Sequence, residues 1–334
     1  MPTFGISIDP TWTLPLSMKL AREAEKLGFS NLWVPDGGPT PPFSDCMVTL
    51  SAIASSTRKI KFGSAIVNFY TRNPAAIASS FLALSNLGGP TQRAVIGIGI
   101  GAPFNVSKFG IFARQGVIDD LREAIESIRE LIEGKEVSVR TDAFVIERVS
   151  LSKSRGKIPI YVGAGSPKGL ELAGEMADGI ILTERIPEGI EQRMKHVTLG
   201  LSGASRSRKQ IHVVNSLVIS VSENKTRARE AAKPTCAYLV AWLDDDTATK
   251  HGIDIGRRDK IGAFLNSGDE KSAAKLVDAK MLDLLTACGT AEECLEKCRE
   301  HLSYGIDQIA FCEPFGPDKL EGISQISRKI IQRL

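Results

Sequence analysis

The chain has 334 residues, 42 basic against 39 acidic for a formal charge of +3, with 43% hydrophobic residues and a mean hydropathy of −0.03. That is enough apolar material for one large α/β domain or two ordinary ones, and the scattered, nearly balanced charge leaves no electrostatic footprint for nucleic acid. No run approaches the ~18 apolar residues of a membrane span, and MPTFGISIDP enters a strand at once instead of offering a leader, so the chain reads as a cytoplasmic protein.

Taken in order, FGISI at 4–8 reads as a strand, LPLSMKLAREAEKLGF at 14–29 as an amphipathic helix, and NLWVPD at 31–36 as a second strand. MVTLSAIASSTR at 47–58 is a helix, IKFGSAIV at 60–67 the third strand, and a helix follows from Pro74 to Leu87. RAVIGIGIG at 93–101 is the fourth strand, with a helix from Ile118 to Glu133 behind it. Strands five to eight fall at 158–162, 179–183, 212–220 and 307–314, and a last helix runs from about Asp318 to the end. These strands are continuous apolar runs, as expected of parallel strands covered by helices on both faces. Eight β-α units predict an α/β fold, a (β/α)8 TIM barrel forming a single domain over 1–334.

Two insertions break the alternation. Residues 135–149, KEVSVRTDAFVIERV, predict a β-hairpin before strand five, with its turn at 140–143. Residues 222–300 predict an extra helical segment between strands seven and eight, walling the C-terminal rim where barrel enzymes place their sites.

The most informative stretch is 158–183, IPIYVGAGSPKGLELAGEMADGIILT. Its turn, Gly163-Ala164-Gly165-Ser166-Pro167-Lys168, sits between a buried strand and a helix. Gly163 and Gly165 let backbone approach a ligand, Ser166 is a good N-cap and Pro167 suits the first helical position, so free amides and the helix dipole favour a phosphate. Thr183 would bring a hydroxyl to the same rim. A phosphate-bearing cofactor follows.

Six cysteines, Cys46, Cys236, Cys288, Cys294, Cys298 and Cys312, are spread without a disulfide framework. Cys288, Cys294, Cys298 and His301 have spacings a zinc site could use, but free cysteine packs as a small apolar group and these fall on a buried helix stripe, so no metal is expected. His251, in HGID at 251–254, is expected at a helix end or turn.

The order and spacing of FGI at 4–6, GFSNLWVPD at 28–36, KFGSAIVNFYTRNPAAIAS at 61–79, RAVIGIGIG at 93–101, the 158–182 unit, HGID and GTAEECLEKCREHLSYGIDQIAFCEPFGPDK at 289–319 resemble the luciferase-like family of flavin- and deazaflavin-dependent barrel oxidoreductases. Within it the chain is most similar to the methylenetetrahydromethanopterin reductases that use coenzyme F420. The resemblance implies F420, or alternatively FMN, as cofactor. It implies hydride transfer to a small organic acceptor, of the CH–NH type in those reductases. Homo-oligomers, dimers or tetramers, are common in the family, and the helices after strands two and three are apolar enough to pack on a partner.

By the same resemblance the Ala65–Ile66 bond is a non-prolyl cis peptide in a bulge, Ala65-Ile66-Val67, that backs the deazaflavin ring. Asp36 matches an aspartate that contacts ring or substrate, although it reads equally as a turn cap before Gly37-Gly38. Gly97, Gly99 and Gly101 would leave a slot for a flat ring, which tight strand packing explains nearly as well. Three departures stand out: Ser7 and Ala102 replace acids, and Gly37 replaces a histidine. With those gone, Asp36, Ser7 as a hydrogen-bond donor and Asp9 as a displaced acid are the catalytic candidates, Asp9 equally reading as a cap for the turn before Pro10. The basic run Arg206-Ser207-Arg208-Lys209 would meet the acidic glutamyl tail of F420 or form a solvated loop. Competing readings are an FMN-dependent monooxygenase, a non-catalytic F420-binding protein and a sugar-phosphate barrel enzyme, the last lacking an evident catalytic lysine at a strand end.

Overall fold

A computed structural model describes residues 1–37, 44–89, 91–101, 106–107, 110 and 115–334. The architecture is a (β/α)8 barrel. By contact density the chain divides into two compact units, Thr3–Thr183 with Glu191–Asn215, and Glu184–Ile190 with Ser216–Leu334.

The first unit holds β1 (Thr3–Ser7), β2 (Asn31–Val34), β3 (Lys61–Ser64), β4 (Val67–Asn68), β5 (Ala94–Gly99), the β6–β7 hairpin (Glu136–Arg140, Val145–Ser150), β8 (Ile160–Gly163), β9 (Gly179–Leu182) and the start of β10 (His212–Val221). Its sheet runs β1-β2-β3-β5-β8-β9-β10, parallel throughout, with β4 also on β5. Every residue of β2, β5 and β9 is buried, which is why the pattern is continuous and not alternating. The hairpin turns at Thr141–Phe144, where the Thr141 amide donates to the Phe144 carbonyl.

Helices α1 (Leu14–Lys26), α2 (Cys46–Ser56) and α3 (Pro74–Leu87) follow the first three strands. Arg93, only 2% exposed, ties the bottom of this layer. Its guanidinium donates to the carbonyls of Ala54, Thr57, Ile60 and Gly88 and to the Thr57 hydroxyl, at 2.9–3.2 Å. Three of those carbonyls belong to the ends of α2 and α3, groups a helix leaves without an internal donor. Burial pulls the guanidinium below its ordinary pKa.

The second unit holds the rest of β10, which pairs in parallel with β11 (Ala287–Gly289), and β12 (Gln308–Phe315). The expected helical insertion forms Lys225–Ala241, Asp245–Lys250, Ile255–Asn266, Glu270–Lys275 and Ala279–Leu285 around a core of its own, including Ala237, Val240, Ile261, Met281 and Leu285. The three-residue β11 was not foreseen, because so short a run carries no periodicity. His251 is the C-cap of Asp245–Lys250. The last helix is regular over Lys319–Gln325 and continues as a π turn and a 3-10 turn to Arg333.

Cys236, Cys288, Cys294 and Cys298 are buried thiols, pushed up by desolvation. Among the described residues no group of histidine, cysteine or carboxylate side chains has a metal-binding arrangement, and no helix is long and apolar enough to cross a membrane.

Candidate cofactor site

The expected third strand, 60–67, is broken. β3 ends at Ser64, the Ala65–Ile66 peptide is cis, and β4 resumes at Val67. Ser64 bridges the gap: its hydroxyl donates to the Gly97 carbonyl at 2.8 Å and accepts from the Gly97 amide at 3.0 Å, replacing backbone pairing with side-chain pairing. β4 then pairs Val67 with Ile98 and Asn68 with Gly99.

This bulge throws Ile66 across the ends of β5 and β8. A Cβ on Gly163 would sit 2.6 Å from Ile66 Cγ2, and one on Gly99 would sit 3.2 Å from Ile66 Cδ1 and 2.6 Å from the Gly163 carbonyl oxygen. The glycines at the ends of these strands therefore admit the isoleucine and each other's backbone. A Cβ on Gly97 would run into the Ser64 carbonyl. Gly97 and Gly99 are thus taken up by strand packing, whereas Gly101, the third glycine of the expected ring slot, lines a cavity together with Ile66.

That cavity has a volume of about 420 Å³. Ala65, Ile66 and Gly163 form part of its wall, and Ile100, Gly101, Ile118, Leu121 and Ile181 make it largely apolar. Ala164, Gly165, Ser166, Gly169 and Thr183 supply its polar edge. The volume falls within the range of small-molecule sites, and the composition, apolar walls with a few convergent polar groups, is that of a cofactor pocket.

The polar edge is the turn after β8. Ser166 is the N-cap of the helix Pro167–Met176, its hydroxyl accepting from the Gly169 amide at 3.3 Å. Pro167 has no N–H, so of the first-turn amides that of Lys168 is left for an outside acceptor. Gly165, Ser166, Pro167 and Lys168 are all exposed. Arg193, on the helix Pro187–Gly203, donates from Nη1 to the Gly165 carbonyl at 2.8 Å. One turn along, Glu171 pairs with His196 Nδ1 at 2.8 Å.

The carboxylates expected in catalysis lie elsewhere. The Asp36 side chain is 2% exposed and takes Arg72 Nε at 3.0 Å, while Arg72 Nη2 reaches Asp45 at 2.5 Å. Asp45 also caps α2 by accepting from the Val48 amide. Burial pushes the Asp45 carboxyl up, but the Arg72 and Val48 hydrogen bonds outweigh it and hold it below the ordinary range; the two carboxylates likewise hold Arg72 above its own. Asp36 is therefore an ion-pair partner and does not stand open to the cavity. Asp9 caps its own turn, accepting from the Thr11 amide at 2.7 Å and hydroxyl at 2.5 Å. Ser7 ends β1 opposite Trp33, half-buried. Ser7, Asp9 and Asp36 do not line the cavity, and Val67 is fully buried in the sheet. Ala102 and Gly38 lie outside the described residues.

Residues 13–308 match the family model described as luciferase-like monooxygenase. The chain belongs to the luciferase-like family. It is 32% identical to the 5,10-methylenetetrahydromethanopterin reductase of Methanolobus tindarius, over 98% of this chain and 99% of the relative. It is equally 32% identical to the reductase of that name from Archaeoglobus fulgidus, over 99% of each. The solved coenzyme F420-dependent tetrahydromethanopterin reductase of Methanopyrus kandleri superposes with a TM-score of 0.92 at 28% identity, covering 99% of both chains.

In this luciferase-like chain the sequence pointed to the turn 163–168, the bulge 65–66 and Thr183; Gly163 to Ser166, Ala65, Ile66 and Thr183 line one cavity, while Pro167 and Lys168 do not line it. Arg193 was missed, being 28 residues from Gly165 with no shared motif. Arg72 was missed for the same reason, 36 residues from Asp36. Ile118 and Leu121 could have been found, since their i, i+3 spacing puts them on one helix face.

Proposed function

We propose that this protein is an F420-dependent oxidoreductase that passes hydride between the deazaflavin and a small organic acceptor, with a CH–NH acceptor of the methylenetetrahydromethanopterin type the leading candidate. One observation carries the reading: the apolar cavity backed by the cis bulge at Ala65–Ile66 adjoins an anion-accepting helix start at Ser166–Lys168, in a chain related end to end to reductases of that class. The residues fit the cofactor. Ile66 would back the ring, Ile100, Ile118 and Leu121 would keep it dry, and the Ser166 and Lys168 amides and Thr183 would hold the phosphate end.

When bound, the deazaflavin supplies a two-electron hydride carrier; the protein's part is to align donor and acceptor carbons and exclude water. Among the described residues no carboxylate lines the cavity. Titrating the purified protein with F420 and with FMN tests the reading. Micromolar affinity for F420 and none for FMN is expected; the reverse would overturn the reading, and oxygen uptake with reduced FMN would then mark the monooxygenase alternative.

The functional form is a homo-oligomer on this reading. Neither α2 nor α3 contains a charged residue, and Val48 and Leu87 are 53% and 48% exposed, whereas a solvated barrel helix carries charge on its outer face. Sedimentation of the pure protein as a monomer at micromolar concentration would contradict it.

A further inference from the structure

The inserted hairpin contributes no residue to the cofactor cavity, yet its tip is tied to the segment that carries the cavity's back wall. Its strands pair Arg140 with Val145 and Val139 with Ile146, then Val137 with Val149, so Glu147 and Arg148 together face Ser138. Arg148 takes φ +50° in this bulge, and its amide donates to the Ser138 hydroxyl at 2.9 Å. An extra residue on one strand bends and twists a hairpin.

At the tip, Phe144 is 7% exposed and meets the Phe69 ring edge-on, with centroids 6.1 Å apart at 67°. Beside it the Val145 carbonyl accepts from Asn73 Nδ2 at 2.9 Å, while Asn73 Oδ1 caps α3 by accepting from the Ala75 amide. Phe69 and Asn73 are the two ends of the turn that joins β4 to α3. Asn68, the last residue of β4, closes that turn: its Oδ1 accepts from the Tyr70 and Thr71 amides and the Thr71 hydroxyl at 2.9–3.2 Å. Asn68 stands two residues past Ile66, which lines the cavity. A continuous line of packed groups therefore runs from the hairpin tip through Phe69 and β4 to Ile66.

Resting on the cofactor reading above, we propose that Phe144 is a positioning residue for the cofactor: the hairpin tip clamps the 69–73 turn and so holds Ile66 where one face of the ring would rest. β4 has two residues and two ladder partners, Ile98 and Gly99, so its own pairing fixes it weakly and what packs beyond it decides its place. Without the Phe144 ring, Phe69, itself 1% exposed, gains a void to move into. Phe69 follows Asn68 directly, so its movement passes to β4 and to the cavity wall, and a site is only as precise as the shell that supports it.

The test is F420 titration of the purified protein by fluorescence quenching, beside hydrogen exchange of the segment 64–73. In Phe144→Ala, F420 affinity falls about 5- to 20-fold and exchange in 64–73 quickens about tenfold or more, and Phe144→Leu recovers most of both. Asn73→Asp keeps the α3 cap but loses the donor to Val145, and weakens F420 binding in the same direction. Val137→Ala, a buried truncation at the root of the same hairpin, lowers the melting temperature yet leaves F420 affinity within about twofold. Combined with Ile66→Ala, Phe144→Ala acts non-additively on F420 affinity, because it works through Ile66. A Phe144→Ala protein that melts lower but binds F420 as tightly as the wild type overturns this proposal alone. Equal loss of affinity in Val137→Ala, or additivity with Ile66→Ala, overturns it too. A wild type that does not bind F420 overturns the cofactor reading itself, and this proposal with it.

Discussion

Replacing Gly163 with alanine tests whether the glycine exists to admit Ile66. The new methyl would start 2.6 Å from Ile66 Cγ2 and 3.3 Å from Cγ1, against the ~3.5 Å at which carbon atoms pack, so the isoleucine must retreat by about 0.9 Å. On one side the isoleucine packs beside Gly99, where a Cβ would lie 3.2 Å from Ile66 Cδ1, and on the other it forms part of the cavity wall, so its displacement reshapes that wall. Gly163 has no positive φ to relieve, so the cost is steric: about 1–3 kcal/mol of overpacking in Gly163→Ala, read as a lower urea midpoint, with a roughly 10- to 100-fold loss of F420 affinity as the cavity wall lifts. Removing the obstacle should undo part of this. In a double-mutant cycle Gly163→Ala and Ile66→Ala couple by more than about 1 kcal/mol, the double variant binding F420 better than Gly163→Ala alone. Additive effects, or a Gly163→Ala protein as stable and tight-binding as the wild type, would refute the packing argument.

Two further predictions concern stability. Arg93→Met leaves the carbonyls of Ala54, Ile60 and Gly88 without their buried donor and lowers unfolding free energy by about 3–5 kcal/mol in urea titration, whereas exposed Arg58→Met costs less than about 1 kcal/mol. His301, fully buried, is held neutral: burial, then the charges of Lys297 and Arg185, lower its pKa from 6.5 to about 4. Below pH ~6.5 the unfolded chain takes up a proton that the folded chain refuses until about 4, so this histidine makes stability fall as the pH is lowered across that window. The loss is about 3 kcal/mol in all, and His301→Gln should flatten that part of the stability-against-pH curve.

The barrel was legible because its strands are buried on both faces: NLWV, AVIGIG and GIIL are runs no amphipathic helix or half-exposed strand would produce. The helix start after β8 was legible because its residues have local reasons to be there, Ser166 to cap and Pro167 to open the helix. The break after Ser64 was not, since IKFGSAIV carries no local signal for it and only resemblance marked Ala65–Ile66. Long-range pairings were the least visible. Asp36 reads from sequence as a ring-contacting carboxylate or a turn cap at a strand end; only the fold brings Arg72 onto it, as only the fold brings Arg193 to Gly165 and carries Arg206 to the opposite end of the same helix.

A crystal structure of the protein with F420 bears most directly on the account. The account places one face of the deazaflavin against Ala65 and Ile66, its phosphate within hydrogen-bonding distance of the Ser166 and Lys168 amides, and no carboxylate from Asp9 or Asp36 on the open face. A ring lying away from the bulge, or a phosphate held anywhere but the turn after β8, would contradict it.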